Sequence, residues 1–133
     1  MSPMYGGLRF DFKPSAHTIS LLEDWPLRWV VEDENGAAVS SLSGMNFGLA
    51  IMDDLNSFNG WTAIAAATPG ASGPLYHRET VSGQTAPNVD ITVSVSDQAT
   101  LPTTSQRFAY ELWRTDASPN LRRIAYGYIH LVY

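Results

Sequence analysis

Cysteine is absent from this 133-residue chain, and lysine is almost absent. Without cysteine the chain has neither disulfide staples nor thiolate metal sites. Lys13 is the only lysine, and the other seven cationic residues are arginines. Because arginine is enriched at protein interfaces and lysine is depleted there, this bias favours a protein that assembles with other subunits.

Charge of any kind is also scarce. Charged residues make up 16% of the chain and the net charge is −5, whereas about 25% charged residues is typical of soluble domains. A nucleic-acid partner would require a cationic face, so we expect none. No apolar run approaches the ~20 residues of a membrane helix, and no basic start precedes an apolar stretch. We therefore expect neither a membrane span nor a secretory signal.

Short runs of alternating apolar and polar residues occupy much of the chain. In the C-terminal third, Ile91 and Val93 belong to one such run, and Phe108, Tyr110 and Leu112 belong to another. Period-two alternation between turn residues is typical of half-buried antiparallel strands. About eight or nine runs of this kind predict an all-β fold, either a sandwich or a barrel.

Three local patterns add detail to this prediction. Asn35-Gly36 predicts a hairpin turn, because both residues tolerate positive φ angles. Residues 61–68 alternate and directly precede Pro69-Gly70, so we predict a strand there although alanine favours helix. Residues 97–100 are the helical candidate, a single turn with Asp97 as its cap.

The chain is predicted to be one domain, residues 14–133, preceded by an extended arm, residues 1–13. An apolar arm exposed to water is unfavourable, so its side chains must be covered. In one interpretation the arm docks on a neighbouring subunit, and in the other it packs on its own domain as a short edge strand. The side chains that would make the contacts are Tyr5, Leu8, Phe10 and Phe12.

The sequence contains no recognisable catalytic or metal-binding pattern. His17, His77 and His130 lie more than about fifty positions apart, and none has the spacing of a metal-ligating pair. The acidic run at residues 32–34 lies next to the hairpin turn. It is either a solvent-exposed turn or a calcium site, because carboxylate oxygens are calcium ligands. Adjacent carboxylates at 53–54 would point to opposite faces of a strand. We therefore expect no enzymatic activity, no cofactor and no bound metal.

Aromatic and arginine side chains are the candidates for partner binding. Trp113 is out of phase with Phe108, Tyr110 and Leu112, and we place Trp25 outside the core as well. Tryptophan, tyrosine and arginine dominate interface hot spots. Outside the arm, the predicted interface residues are Trp25, Phe58, Trp113, Arg114, Arg122 and Tyr133.

Several short motifs give the chain a family likeness. They are the corner Glu23-Asp24-Trp25-Pro26, the turn Asp33-Glu34-Asn35-Gly36, the step Ser41-Leu42-Ser43-Gly44, the turn Leu101-Pro102 and the last strand Ile124-Ala125-Tyr126-Gly127-Tyr128-Ile129. In this order they resemble the N-terminal immunoglobulin-like domain of phage baseplate upper proteins and related tail proteins. The family has Gly at the position of Glu23 and a small hydroxyl residue at that of Trp25.

The resemblance implies an immunoglobulin-like antiparallel β-sandwich that serves as a structural subunit of a bacteriophage virion. Such a protein would be assembled in the host cytoplasm. It would contact other virion proteins in the tail or baseplate, or as an adaptor, and would be a homo-oligomer or present in many copies. Capsid decoration is the alternative within this class. From another class, a carbohydrate-binding module remains open, because the tryptophans and tyrosines would provide rings that stack on sugars.

Overall fold

The fold consists of two antiparallel sheets and one short helix. The computed structural model describes residues 4–5, 8–12, 23–33, 35–55, 57–102, 107–116 and 122–130, with backbone alone for residues 4–5, 8–12 and 122. Its strands are β1 (Met4–Tyr5), β2 (Leu8–Phe12), β3 (Trp25–Asp33), β4 (Asn46–Met52), β5 (Leu75–Ser82), β6 (Asn88–Val93), β7 (Arg107–Arg114) and β8 (Arg122–His130), with helix α1 (Trp61–Ala66) and a 3₁₀ turn at Asp97–Thr100. Sheet one has the order β1-β2-β3-β6 and sheet two the order β5-β4-β7-β8. The predicted all-β class is confirmed.

One buried cluster joins the inner faces of the two sheets. From sheet one, β3 contributes Trp25 and Trp29, whose side chains are fully buried. Across the interface Trp25 contacts Phe108 at 6.2 Å between ring centroids, and Trp29 contacts Tyr110 at 5.9 Å. These aromatic rings are the largest side chains in the contact between the sheets, and Leu, Ile and Val side chains fill the rest of the cluster.

The prediction that Trp25 lies at a partner interface is wrong. Trp25 begins β3 in the same phase as Leu27 and Trp29, and all three side chains are buried. Because side chains two residues apart on a strand share one face, the ring of Trp25 is directed into the core by its own strand. Pro26, which follows it, lies on the exposed face of β3.

Residues 61–66 form helix α1, so the strand predicted for residues 61–68 is wrong. Trp61 and Ile64, three positions apart and both buried, lie on one side of the helix. They pack on the outer face of sheet two, against Ala50, Met52 and Ala109. Alanine propensity and this tertiary contact together outweigh the period-two pattern. Among the described residues no helix is long and apolar enough to cross a membrane.

The predicted turns are found, with one correction. Gly36 has a φ of 85°, and the carboxylate of Asp33 accepts hydrogen bonds from the backbone N–H groups of Asn35 (2.9 Å) and Ala37 (3.0 Å). The helical turn at Asp97–Thr100 also forms, but Asp97 does not cap it. Its carboxylate instead accepts from the Ser94 N–H, at 3.2 Å, before the turn begins.

The N-terminal segment belongs to sheet one at the level of its backbone. Strand β2 pairs with β3 in antiparallel register, from Leu8 opposite Asp33 to Phe12 opposite Trp29. This pairing corresponds to the interpretation in which the segment packs on its own domain. The side chains of the predicted contacts Tyr5, Leu8, Phe10 and Phe12 lie outside the described residues.

Deletion of residues 1–12 should lower the free energy of unfolding, because it removes the strand that satisfies one edge of β3. Urea unfolding measures this effect. Deletion of residues 1–3, which precede β1, is the control and should leave stability unchanged. Equal stability of the two truncated chains would instead favour an arm that docks on a neighbouring subunit.

Substitution Gly48→Ala should destabilise the protein by about 1–3 kcal/mol, a typical cost of overpacking. A Cβ atom at Gly48 would overlap the ring of Trp61, so α1 would have to move from the sheet. The control is Gly70→Ala, whose Cβ would meet no atom within 4 Å and should change stability by less than about 0.5 kcal/mol. Urea unfolding of both variants tests this, and a neutral Gly48→Ala would show that the ring is not held in place.

Candidate functional site

The outer face of β7 and β8 is rich in aromatic and arginine side chains. Six residues form it, and we call it the arginine–tyrosine face: Arg107, Glu111, Trp113, Arg123, Tyr126 and Tyr128. The β7 residues alternate with the core residues Phe108, Tyr110 and Leu112. Cross-strand pairing then sets Tyr128 opposite Ala109 and Tyr126 opposite Glu111. Tyr126 is 52% exposed, although large hydrophobic residues are usually covered.

Arginine side chains hold both tyrosine rings in place. The guanidinium carbon of Arg107 lies 4.4 Å from the ring centroid of Tyr128, and that of Arg123 lies 4.3 Å from the ring centroid of Tyr126. Cation–π contacts at exposed sites contribute about 0.5–1 kcal/mol each. The Tyr128 hydroxyl also donates to the Asp54 carboxylate at 3.2 Å. The side chains of this face are thus already ordered in the unbound chain.

One member of this face is a buried carboxylate. Glu111 is 3% exposed and accepts hydrogen bonds from Arg123 Nη1 (2.8 Å) and Trp113 Nε1 (3.2 Å). A buried carboxylate is costly unless it is paired. Glu111 therefore fixes the positions of the Arg123 and Trp113 side chains. Arg123 in turn makes the cation–π contact with the ring of Tyr126.

Charge is unevenly divided between this region and the rest of the chain. Residues 107–133 contain four arginines and two carboxylates, a net charge of +2. Residues 1–106 contain four cationic and eleven acidic residues, a net charge of −7. The face itself has two arginines and one carboxylate, a net charge of +1, in an otherwise acidic chain.

The predicted interface residues are only partly brought together. Trp113 is half-buried on the arginine–tyrosine face, as its phase predicts. Arg114 is paired with Asp116 at 2.6 Å, and this guanidinium lowers the pKa of the Asp116 carboxyl. Phe58 is half-buried against the cluster under α1. The side chain of Arg122 and all of Tyr133 lie outside the described residues.

Sequence analysis missed Arg107 and Glu111 as members of this face. Both have the phase of Trp113 on β7, so the phase that singled out Trp113 would have found them. The roles of Tyr126 and Tyr128 depend on the register of β8 against β7, which includes an irregularity between Leu112 and Trp113. No local pattern in the sequence reports that irregularity.

The tryptophans do not form the exposed array that a sugar-binding face would require. Trp25 and Trp29 are fully buried, and Trp61 is 9% exposed. Trp113 is half-buried and donates its indole N–H to Glu111. Rings that stack on sugars must present an open face, so three of the four indoles are unavailable.

A second group of polar side chains lies at the opposite edge of sheet two. His77 and Glu79 share one face of β5, with His77 Nε2 2.9 Å from Glu79 Oε1. Asp97, from the 3₁₀ turn after β6, completes the group, and its hydrogen bonds with Ser94 lower the pKa of its carboxyl. The histidines were expected to lie in no metal-ligating pattern. The missed signal is His-x-Glu on a strand, a spacing that places both side chains on one face.

Comparisons with known proteins do not identify the chain. No family model, no curated protein and no solved structure matches it. Its function is therefore inferred from the two side-chain groups described above and from the sequence motifs.

Substitution Arg123→Met should destabilise the protein by about 1–3 kcal/mol, because it removes a partner from a buried carboxylate. Adding Glu111→Gln should recover part of the loss, since an amide is cheaper to bury than a carboxylate. Arg28→Met is the control. Arg28 pairs with Asp90 at 2.7 Å, but their side chains are 58% and 40% exposed, so water screens this pair and its loss should change stability little. Chemical unfolding of the parent chain, the two single variants and the double variant measures these effects. An equal loss of stability in Arg28→Met and Arg123→Met would show that burial of Glu111 does not matter.

Proposed function

We propose that this chain is a non-enzymatic structural subunit that acts through protein–protein contacts between its copies. The observation that carries the proposal is the arginine–tyrosine face, an ordered and partly exposed surface on an otherwise acidic chain. From the sequence motifs we propose a bacteriophage virion as its setting, in the tail or baseplate. Other virion proteins are then further partners, and capsid decoration is the alternative within the same class.

The composition of the face suits a protein partner. Tyrosine, tryptophan and arginine dominate binding hot spots because they combine large contact area with hydrogen-bonding groups. Here Tyr126 and Tyr128 are held by Arg123 and Arg107. Side chains that are already ordered lose less entropy on binding. The face therefore meets two requirements of a binding hot spot, namely exposed aromatic area and preorganisation.

The occupant that we propose is a second copy of this chain. The face has a net charge of +1 and residues 1–106 have a net charge of −7, so the face of one copy and the acidic part of another are opposite in sign. Contacts between different surfaces of identical subunits are heterologous, and they generate rings when the rotation closes. Such an arrangement fits the symmetric, multi-copy assembly that the virion setting requires.

We further propose that the two sheets form an immunoglobulin-like sandwich. Support comes from the strand order, with β2-β3-β6 in one sheet and β5-β4-β7-β8 in the other. Immunoglobulin domains place strands A, B, E and D in one sheet and strands C, F and G, with C′ in the variable type, in the other; among the described residues strand D has no counterpart. Strand for strand, β2 to β8 follow that arrangement, with α1 inserted between the strands that correspond to C and C′.

Purified protein should associate in a concentration-dependent manner, and added salt should weaken the association. Light scattering after size-exclusion chromatography, from about 0.05 to 0.5 M NaCl, measures this, since salt screens exposed charges. Tyr126→Ala and Arg107→Glu should each weaken association at least about tenfold, the effect of losing one hot-spot contact.

Val95→Ala is the matched control for this experiment. Val95 is the other large hydrophobic side chain that is exposed among the described residues, at 47%, and it lies outside the face. It should leave association unchanged. A strictly monomeric protein at low salt would refute association through this face, and so would a Val95→Ala effect as large as that of Tyr126→Ala.

A further inference from the structure

Three side chains that can ligate a metal ion meet between the two sheets, away from the arginine–tyrosine face. His77 and Glu79 lie on β5, opposite the buried residues Ile51 and Leu49 of β4. They therefore point toward the inner side of sheet two. The turn that carries Asp97 follows β6 of sheet one and packs against β5. One ligand atom from each of the three residues lies within 4.8 Å of the other two.

The two carboxylates of this group lie close together in a partly buried place. The side chains of Glu79 and His77 are only 29% and 12% exposed, which limits screening by water. Each of the five described arginine side chains contacts another group, namely Asp90 for Arg28, the Ala67 carbonyl for Arg78, Tyr128 for Arg107, Asp116 for Arg114 and Glu111 for Arg123. Two carboxylates this close repel each other unless a positive charge lies between them. A bound metal ion would provide that charge.

We propose that His77, Glu79 and Asp97 bind a Zn²⁺ ion that clamps the edge of sheet two to the turn leaving sheet one. Imidazole nitrogen and carboxylate oxygen are both common zinc ligands. A site for calcium or magnesium would instead be built from oxygen ligands alone. Three protein ligands leave one position of a tetrahedral ion for water.

The three ligand atoms must move closer together to bind one ion. Two ligand atoms bound to one tetrahedral Zn²⁺, each about 2.1 Å from the ion, lie about 3.4 Å apart. The three ligand atoms lie within 4.8 Å of one another, so the contraction that the ion requires is at most about 1.4 Å. Asp97 is already oriented by the Ser94 N–H, the kind of outer contact that holds a ligand in place.

Zinc binding should raise the thermal unfolding midpoint, and the midpoint should rise further with zinc concentration, because the ion binds the folded state. The experiment uses the full chain, stripped with a chelator and titrated with ZnCl₂ near neutral pH by calorimetry. We expect one ion per chain. Glu79→Gln, which preserves the shape of the side chain, should weaken zinc affinity at least tenfold and remove most of the thermal shift. His77→Ala should do the same.

His130→Ala is the matched control, because His130 is exposed at the end of β8. It should bind zinc as the parent chain does. Circular dichroism without metal verifies that each variant is folded, and should His77→Ala fail to fold, Glu79→Gln carries the test. The proposal is overturned by the absence of saturable zinc binding, by undiminished affinity in Glu79→Gln, or by equal thermal shifts with CaCl₂ and MgCl₂.

Discussion

The structure depends on the packing of two tryptophans of β3 against two aromatic residues of β7. Trp25 meets Phe108 and Trp29 meets Tyr110 across the space between the sheets. This contact fixes which face of each strand is internal. Because Phe108 and Tyr110 must point inward, Arg107, Glu111 and Trp113 are directed to the other face of β7. The same burial raises the pKa of the Tyr110 hydroxyl. Core packing thus determines where the cationic and aromatic surface lies.

The outer face of sheet two is divided into a covered part and an open part. Helix α1 covers the apolar residues Ala50, Met52 and Ala109, and it lies close because Gly48 has no side chain to obstruct Trp61. Beyond the helix, the same face continues as arginine, tyrosine and glutamate. The inner face of sheet two therefore packs in the core. Its outer face is partly covered by α1 and partly open to a protein partner.

Much of the strand content could be predicted from the sequence, but helix α1 could not. The runs around Trp29 and Phe108 alternate over several residues, and their period directly reports a half-buried strand. Residues 61–66 alternate too, yet tertiary packing of Trp61 decides their conformation. For the arginine–tyrosine face, the position of Trp113 in the alternating pattern of β7 is enough to predict that its side chain lies outside the core. The group at His77 and Asp97 joins residues from different sheets, so only the folded topology brings them together.

The order of the strands also constrains how the chain is made. Strand β3 pairs with β6, and β4 pairs with β7, although about sixty residues separate the members of each pair. Contacts that are distant in sequence slow folding, because a long loop must close before they form. On the ribosome, β3 and β4 emerge well before their partners are synthesised. Until then, β3 and β4 expose their apolar faces to solvent. During this interval aggregation competes with folding.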